Sequence, residues 1–86
     1  MKPIRFSDHA ILKMKVLEAH GLKVRWEFVQ EVVSQPDKVM EGYQGRQIAQ
    51  KALDPDHVLR VVLEEQPDSI LVITLYPGRR SRYDKD

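Results

Sequence analysis

The pattern of apolar and polar positions divides the chain into a helical first half and a stranded second half. Across residues 8–20, apolar side chains recur every three or four positions, which predicts an amphipathic helix. Ser7 is placed to cap its start, and Gly21 follows its end. A second apolar stripe predicts a helix over residues 25–34, before the break at Gln35-Pro36-Asp37. Two helices are therefore expected in the N-terminal half.

The second half has the two-residue period of β-strands. Residues 39–43 and 46–53 flank Gln44-Gly45 and predict a hairpin. Alternation over residues 57–65 and 70–76 predicts two further strands. The connections that contain Pro and Asp are short turns, which require antiparallel neighbours.

These elements predict an α+β fold in which two N-terminal helices pack on one face of a four-stranded antiparallel sheet. Residues 3–6 are too few to predict a strand firmly. The sides formed by Leu, Ile and Val are expected to face the helices, and in the last strand these are Leu71, Ile73 and Leu75. The opposite face carries Arg60, Thr74 and Tyr76 among valines, and we expect this face to be the working surface, which means the surface that carries the functional site. A chain of 86 residues holds one domain, residues 1–86.

Composition narrows the function classes. The 14 Lys and Arg residues nearly balance the 13 Asp and Glu residues, so a polyanion can be bound only by a local patch. The chain has no cysteine, which excludes disulfides and a Cys-containing zinc site. It also lacks the run of about 20 apolar residues that spans a bilayer. We expect a soluble, cytoplasmic protein without a membrane partner.

Several short motifs together resemble a known group of proteins. They are Ser7-Asp8-His9-Ala10, Met14, Gly45-Arg46, Lys51, Val72-Ile73-Thr74-Leu75-Tyr76-Pro77 and Arg79-Arg80-Ser81-Arg82-Tyr83. Along nearly the whole chain, the sequence resembles an uncharacterised bacterial family related to the RelE/ParE toxin superfamily, which includes BrnT-like toxins. Members are small α+β proteins encoded beside an antitoxin, and many cut ribosome-bound or free messenger RNA without a metal.

The resemblance implies an endoribonuclease toxin with an antitoxin partner, an RNA or ribosome target, and no cofactor. Two features depart from it. Active RNA-cutting toxins are usually strongly basic, whereas this chain has a formal net charge of +1. The chain also leaves little room after Tyr76 for the additional C-terminal helix of some relatives, and ParE-like members poison gyrase without cutting RNA. Fold similarity therefore does not decide the activity.

His9 is the best candidate for moving a proton. RNA cleavage without a metal needs a base for the 2′-hydroxyl, an acid for the 5′-oxygen and cations around the phosphorus. His9 lies at the start of the first helix, where the dipole favours a neutral, basic imidazole. The alternative is that His9 only packs or hydrogen-bonds near the helix end.

Three cations of the predicted sheet are candidate phosphate ligands. Arg46 and Lys51 lie five positions apart, so a regular strand would put them on opposite faces, and each is otherwise a solvated surface residue. Arg60 is either a phosphate ligand on the working surface or an ion-pair partner of Glu41 or Glu64.

The segment from Arg79 to Tyr83 is the dense basic patch of the chain. By resemblance, Arg79 or Arg80 corresponds to the transition-state arginine, and Tyr83 to an aromatic that contacts RNA or transfers a proton. Arg79 and Arg82 would bind substrate, whereas Arg80 and Tyr83 join His9 as catalytic candidates. The alternative is a solubilising end.

His57 completes the sequence Asp54-Pro55-Asp56-His57, which a turn before a strand explains better than a metal site. Two functions remain in competition. The first is a metal-independent endoribonuclease toxin, and the second is a non-catalytic module that binds protein or nucleic acid through the same sheet face. The low net charge favours the second, and the motifs favour the first.

Overall fold

The computed structural model describes residues 2–83, which contain three α-helices and five strands. In chain order the elements are β1 (Ile4–Phe6), α1 (Asp8–Ala19), α2 (Trp26–Ser34), β2 (Lys38–Glu41), β3 (Gln47–Ala52), β4 (His57–Gln66), β5 (Ser69–Arg79) and α3 (Arg80–Tyr83). The strands form one sheet in the order β1-β5-β4-β3-β2. β1 and β5 are parallel, and the other neighbouring strands are antiparallel.

The prediction of a four-stranded antiparallel sheet is wrong, because β1 adds a fifth strand and makes the sheet mixed. Ile4 pairs with Ile70, and Phe6 pairs with Val72. The amide of Ile70 donates to the carbonyl of Pro3 over 2.9 Å at one end of this pairing. A strand of three residues is too short to show a period, and its partner lies far along the chain, so no local pattern announced it.

Helices α1 and α2 pack on one face of the sheet and enclose the core. The buried apolar side chains of this core are Ala10, Met14, Val24, Val29, Val32, Ala49, Leu59, Val61, Leu63, Val72 and Leu75. Helix α1 begins at the predicted residue because the Ser7 hydroxyl accepts a hydrogen bond from the amide of Ala10 over 3.0 Å. The same hydroxyl donates to the carbonyl of Ile73 over 2.7 Å, which ties the start of the helix to β5.

A bulge in β5 overturns the predicted facing of that strand. Val62 pairs with Thr74, but the next residue of β4 pairs with Val72, so Ile73 is an extra residue. Leu75 lies in the core as predicted, whereas Val72 takes the next core position, and neither Leu71 nor Ile73 belongs to that cluster. An extra residue reverses the alternation beyond it, and the hydrophobic pattern cannot reveal this because every residue from 70 to 73 is apolar.

Helix α3, which was not predicted, lies at the face of the sheet opposite to α1 and α2. Its first amide, that of Arg80, donates to the carbonyl of Asp56 over 2.9 Å. Its last residue, Tyr83, lies against Gly78, where an added Cβ would come within 2.3 Å of the Tyr83 ring. In the part of the chain that the structure describes, no helix has both the length and the apolar character needed to cross a membrane.

Candidate functional site

Arg60 is the centre of a polar cluster on the sheet face that points away from α1 and α2. Its neighbours in β4, Leu59 and Val61, enter the core, so strand alternation directs Arg60 to the opposite face. Its Nε donates to the Tyr76 hydroxyl over 3.0 Å, and its Nη1 donates to Oε1 of Gln50 over 2.7 Å. The residue is 7% exposed. Arg60 is therefore a buried cation held in a fixed orientation.

The register of three strands creates this arrangement. Gln50 of β3 and Tyr76 of β5 both lie directly opposite Arg60, so the three side chains form a row across the sheet. The C-terminal turn covers the row, because the ring of Tyr83 lies over the guanidinium. The carbonyl of Tyr83 accepts hydrogen bonds from Lys38 over 2.8 Å and from the Gln50 amide over 3.3 Å. The cluster thus joins β2, β3, β4, β5 and α3.

The cluster gives Arg60 no negative partner among residues 2–83. Neither Glu41 nor Glu64, its predicted ion-pair partners, forms an ion pair with it, and the described contacts are a neutral amide, a hydroxyl and aromatic rings. A buried charge costs free energy unless it is paired. The face around Arg60 is consequently suited to accept an anion if Tyr83 moves aside. Sequence reasoning identified Arg60 but missed Gln50 and Lys38. The only sequence signal for these two residues was the alternation of side chains along β3 and β2.

His9 lies on the other side of the sheet from this cluster. The next residue, Ala10, is buried in the core between α1 and the strands, whereas Arg60 faces away from that core. His9 itself is exposed. The structure therefore does not bring His9 together with Arg60 or Tyr83, and a catalytic role for His9 stays a prediction.

Lys51 and Arg46 both lie outside the Arg60 cluster. Lys51 donates to the carbonyl of Gln35 over 2.7 Å and lies 3.7 Å from a carboxylate oxygen of Glu31 and 3.9 Å from one of Asp37. It follows Gln50 in the strand and therefore points to the helix side of the sheet. Arg46 lies in the turn between β2 and β3, and its enclosed Nε has no hydrogen-bond partner in the described part of the chain.

The C-terminal arginines divide between two places. Arg79 and Arg80 line an open cleft of about 480 Å³ together with Ser81, Pro55, Asp56 and His57. The guanidinium of Arg82 lies 5.4 Å from the Tyr83 ring centre, beside the Arg60 cluster. Of the predicted catalytic residues, Arg80 and Tyr83 therefore share α3, but Arg80 lines the cleft while Tyr83 covers Arg60.

The cleft contains a histidine that sequence reasoning assigned only to a turn. The Nδ1 atom of His57 lies 2.9 Å from Oδ1 and 3.1 Å from Oδ2 of Asp54. The amide of Asp56 also donates to Asp54 Oδ1 over 2.8 Å. The hydrogen bond from His57 is the main cause that lowers the pKa of Asp54, and the bond from Asp56 adds to it. The available signal was the sequence Asp54-Pro55-Asp56-His57, whose turn places the two side chains together.

The arrangement offers no multidentate metal site within residues 2–83, since no group of three or more His, Asp or Glu side chains is placed to hold an ion. What these residues offer instead is positive charge. Arg60 lies under Tyr83, and Arg79 lies beside His57 in the cleft.

Comparison with known proteins places the fold. The chain shares its fold with two conserved hypothetical proteins of Helicobacter pylori. The solution structure of HP0892 matches with a TM-score of 0.56 at 18% identity, over 96% of this chain and 99% of that one. The solution structure of HP0894 matches with a TM-score of 0.53 at 16% identity, over 94% and 97%. No family model matches the chain, and no curated protein sequence matches it. At these identities the likeness is one of fold.

Proposed function

We propose that the protein is a toxin of the RelE/ParE type that cuts messenger RNA in the cytoplasm without a metal ion and is neutralised by an antitoxin. The observation that carries the proposal is Arg60, a buried guanidinium that has no carboxylate partner among residues 2–83. A cation held in this way is prepared to meet the phosphate of a substrate. The motif resemblance and the fold shared with two bacterial proteins support the same reading.

The proposed surface holds groups suited to a single RNA strand. Guanidinium groups bind phosphate oxygens through two parallel hydrogen bonds, and aromatic rings stack on bases. Arg60 would bind the reacting phosphate, Tyr83 would move from the guanidinium onto a base, and Arg82 beside it would bind a neighbouring phosphate. His9 is exposed on α1, at the other side of the sheet, and its catalytic role stays a prediction.

The reaction proposed is attack of the RNA on itself. The 2′-oxygen forms a bond to phosphorus while the bond from phosphorus to the 5′-oxygen breaks, leaving a 2′,3′-cyclic phosphate and a 5′-hydroxyl. Water would take the proton of the 2′-hydroxyl and supply one to the 5′-oxygen, so the step balances without a metal or an oxidant. Arg60 would stabilise the extra negative charge on the phosphorane, which is where a preorganised cation contributes most.

A second candidate is a binding module that does not cut RNA. The observation that favours it is the composition of the Arg60 cluster, which holds no histidine and no carboxylate among its described members. Such a cluster lacks a strong proton acceptor at neutral pH. Tyr83 also covers Arg60, so binding requires that the ring move.

One experiment separates the two candidates. The wild-type chain and Arg60→Lys are incubated with an end-labelled single-stranded RNA in excess chelator, and cleavage and binding are both measured. Lysine keeps the charge but loses the planar pair of donors, so we expect cleavage to fall about 100-fold. Arg5→Lys is the matched control because Arg5 is exposed on β1 and pairs with Leu71, far along β5 from Tyr76.

The outcomes of this experiment are distinct. Cleavage by the wild type and by Arg5→Lys, with loss in an Arg60→Lys variant that remains folded at the assay temperature, supports the nuclease. Binding without cleavage supports the module. The number of phosphates bound then follows from the slope of the logarithm of the binding constant against the logarithm of the salt concentration, about −0.7 for each phosphate neutralised on a single strand. If the wild type neither binds nor cuts this RNA, a nuclease that acts on free RNA and an RNA-binding module are both contradicted. Induced expression in a bacterial host, followed by growth and messenger-RNA integrity, tests the toxin role separately.

A further inference from the structure

We infer that the cleft beside His57 binds a phosphate group, and that protonation of His57 strengthens this binding. The cleft is lined by Pro55, Asp56, His57, Arg79, Arg80 and Ser81. It is a place separate from the Arg60 cluster, although α3 contributes to both. The inference deepens the proposed function and rests on it for one possible source of the phosphate, the backbone of RNA.

The cross-strand register holds the two sides of the cleft together. His57 opens β4 and pairs directly with Arg79 at the end of β5, so the imidazole and the guanidinium project from neighbouring positions. Arg79 is exposed and forms no ion pair with any residue in the described range. The backbone bond from Arg80 to Asp56 closes the same end of the sheet. A phosphate in the cleft would therefore meet donors from β4 and β5.

Asp54 fixes the orientation of the His57 ring. Both of its carboxylate oxygens lie within hydrogen-bond distance of Nδ1, which leaves Nε2 as the ring nitrogen without a partner among residues 2–83. Asp54 itself does not line the cleft, because its Oδ1 is turned to the ring and to the amide of Asp56. A carboxylate that holds one imidazole nitrogen in this way directs the other nitrogen at a ligand. Nε2 then donates to a phosphate oxygen when the ring is protonated.

Protonation of His57 changes the charge of the cleft to which we assign the phosphate. Asp54 and Asp56 face His57 from the turn before β4, Arg79 faces it from β5, and Arg80 faces it from α3. Protonation of His57 adds one positive charge and one hydrogen-bond donor to this group. Histidine is the side chain whose charge commonly changes between pH 5 and 8, so binding should strengthen across this range as pH falls.

The test uses sulfate as the probe, because sulfate stays doubly charged across this pH range and does not titrate itself. Nitrogen and carbon NMR signals of His57 and Arg79 are followed while sulfate is added at pH 5.5 and at pH 8. We expect saturable shifts with a dissociation constant of roughly 1 mM at pH 5.5 and binding about fivefold weaker at pH 8. Arg79→Gln should abolish the shifts of His57, and His57→Gln should remove the pH dependence.

The matched control is Arg5→Gln, which removes the same charge roughly 25 Å away along β5, at eight residues of about 3.3 Å each. Shifts that persist in Arg5→Gln but vanish in Arg79→Gln support the inference. It is overturned if sulfate moves neither residue, or if both variants weaken binding equally, since that would report net charge rather than a site. A His57→Gln variant that keeps the full pH dependence overturns the role of His57.

Two further ligands decide the source of the phosphate. An RNA pentanucleotide without terminal phosphates offers only phosphodiesters, whereas a nucleoside monophosphate offers a free phosphate group. Displacement of sulfate by the pentanucleotide assigns the cleft to RNA. Displacement by the monophosphate alone keeps the phosphate site but assigns it to a small ligand. If the cleft does not bind sulfate but the protein cuts RNA, this inference is wrong and the proposed function stands. If the cleft binds sulfate but the protein does not cut RNA, the cleft stands and the proposed function is wrong.

Discussion

The guanidinium carbon of Arg60 lies 4.1 Å from the centre of the Tyr83 ring, so the last described residue of the chain covers the buried cation of the sheet. This contact is a cation–π interaction between β4 and α3. It both holds α3 on the sheet and covers the surface to which we assign RNA. Loss of the ring should therefore lower stability, and RNA must displace the ring before it reaches Arg60.

Tyr83→Ala measures how much this contact stabilises the fold. Loss of the ring over Arg60 should lower the free energy of unfolding by about 2 kcal/mol, because a packed aromatic ring and its cation–π contact are both lost. Tyr83→Phe should cost less than about 0.5 kcal/mol, since the described contacts use the ring and the backbone carbonyl. Urea unfolding measures both variants. Equal losses in the two variants would show that the hydroxyl, not the ring, holds α3 on the sheet.

Gly78→Ala should displace the same ring from the other side. The new Cβ would come within 2.3 Å of Tyr83, which is closer than a packed side chain tolerates. We expect a loss of about 1–2 kcal/mol, and little further loss when Tyr83→Ala is added, because the two changes disrupt one contact. Gly42→Ala is the control, since its Cβ would meet its nearest neighbour at 3.4 Å. Additive losses in the double variant would contradict this account.

Sequence patterns anticipated the parts of the fold that local residues determine. Ser7 and Gly21 bracket α1 as predicted, because capping chemistry is local. The hairpin turn also lies at Gln44 and Gly45, where both residues adopt positive φ values. What the pattern missed are non-local features: the three residues of β1 and the extra residue Ile73 acquire their roles only from the strands beside them.

The candidate site divides in the same way. Arg60 and Tyr83 were identifiable as residue types of the right chemistry, but their contact depends on α3 folding back over the sheet. The opposite case is His57, whose partner Asp54 is only three residues away. That pair could be identified from the sequence, but a phosphate site also needs Arg79. Only the register of β4 and β5 places Arg79 across from His57.

Lys51 should contribute to stability and not to RNA binding. Its ammonium group joins the C-terminal end of α2 to β3 through the carbonyl of Gln35 and the carboxylate of Glu31. Lys51→Ala is therefore expected to cost about 1 kcal/mol in unfolding free energy and to change RNA affinity less than twofold. Lys23→Ala is the control, because Lys23 has a mostly exposed side chain and a single long ion pair at 4.0 Å. A tenfold loss of RNA affinity in Lys51→Ala but not in Lys23→Ala would support the predicted role of Lys51 as a phosphate ligand.

Acid should weaken the fold partly through Asp54. Because His57 lowers the pKa of Asp54 in the folded state from 3.8, the charged carboxylate contributes stability above about pH 4. This contribution is lost as the pH falls below 4 and through the lowered pKa. Asp54→Asn should therefore flatten the dependence of unfolding free energy on pH between 4 and 2. Asp68→Asn, in the exposed turn after β4, provides the comparison, and an equally flat profile in that variant would exclude a specific effect of the pair.

The pairing of β1 with β5 also sets the order in which the chain can fold as it is synthesised. Ser7 bonds to Ile73 across a separation of 66 residues, and the strand against which α1 packs is the last one made. Contacts of this range form late, because the chain between them must first be complete. On the ribosome, β1 and α1 thus wait for a partner until β5 has emerged. A product of interrupted translation that lacks β5 would leave this first part of the chain without its strand and exposed to proteases.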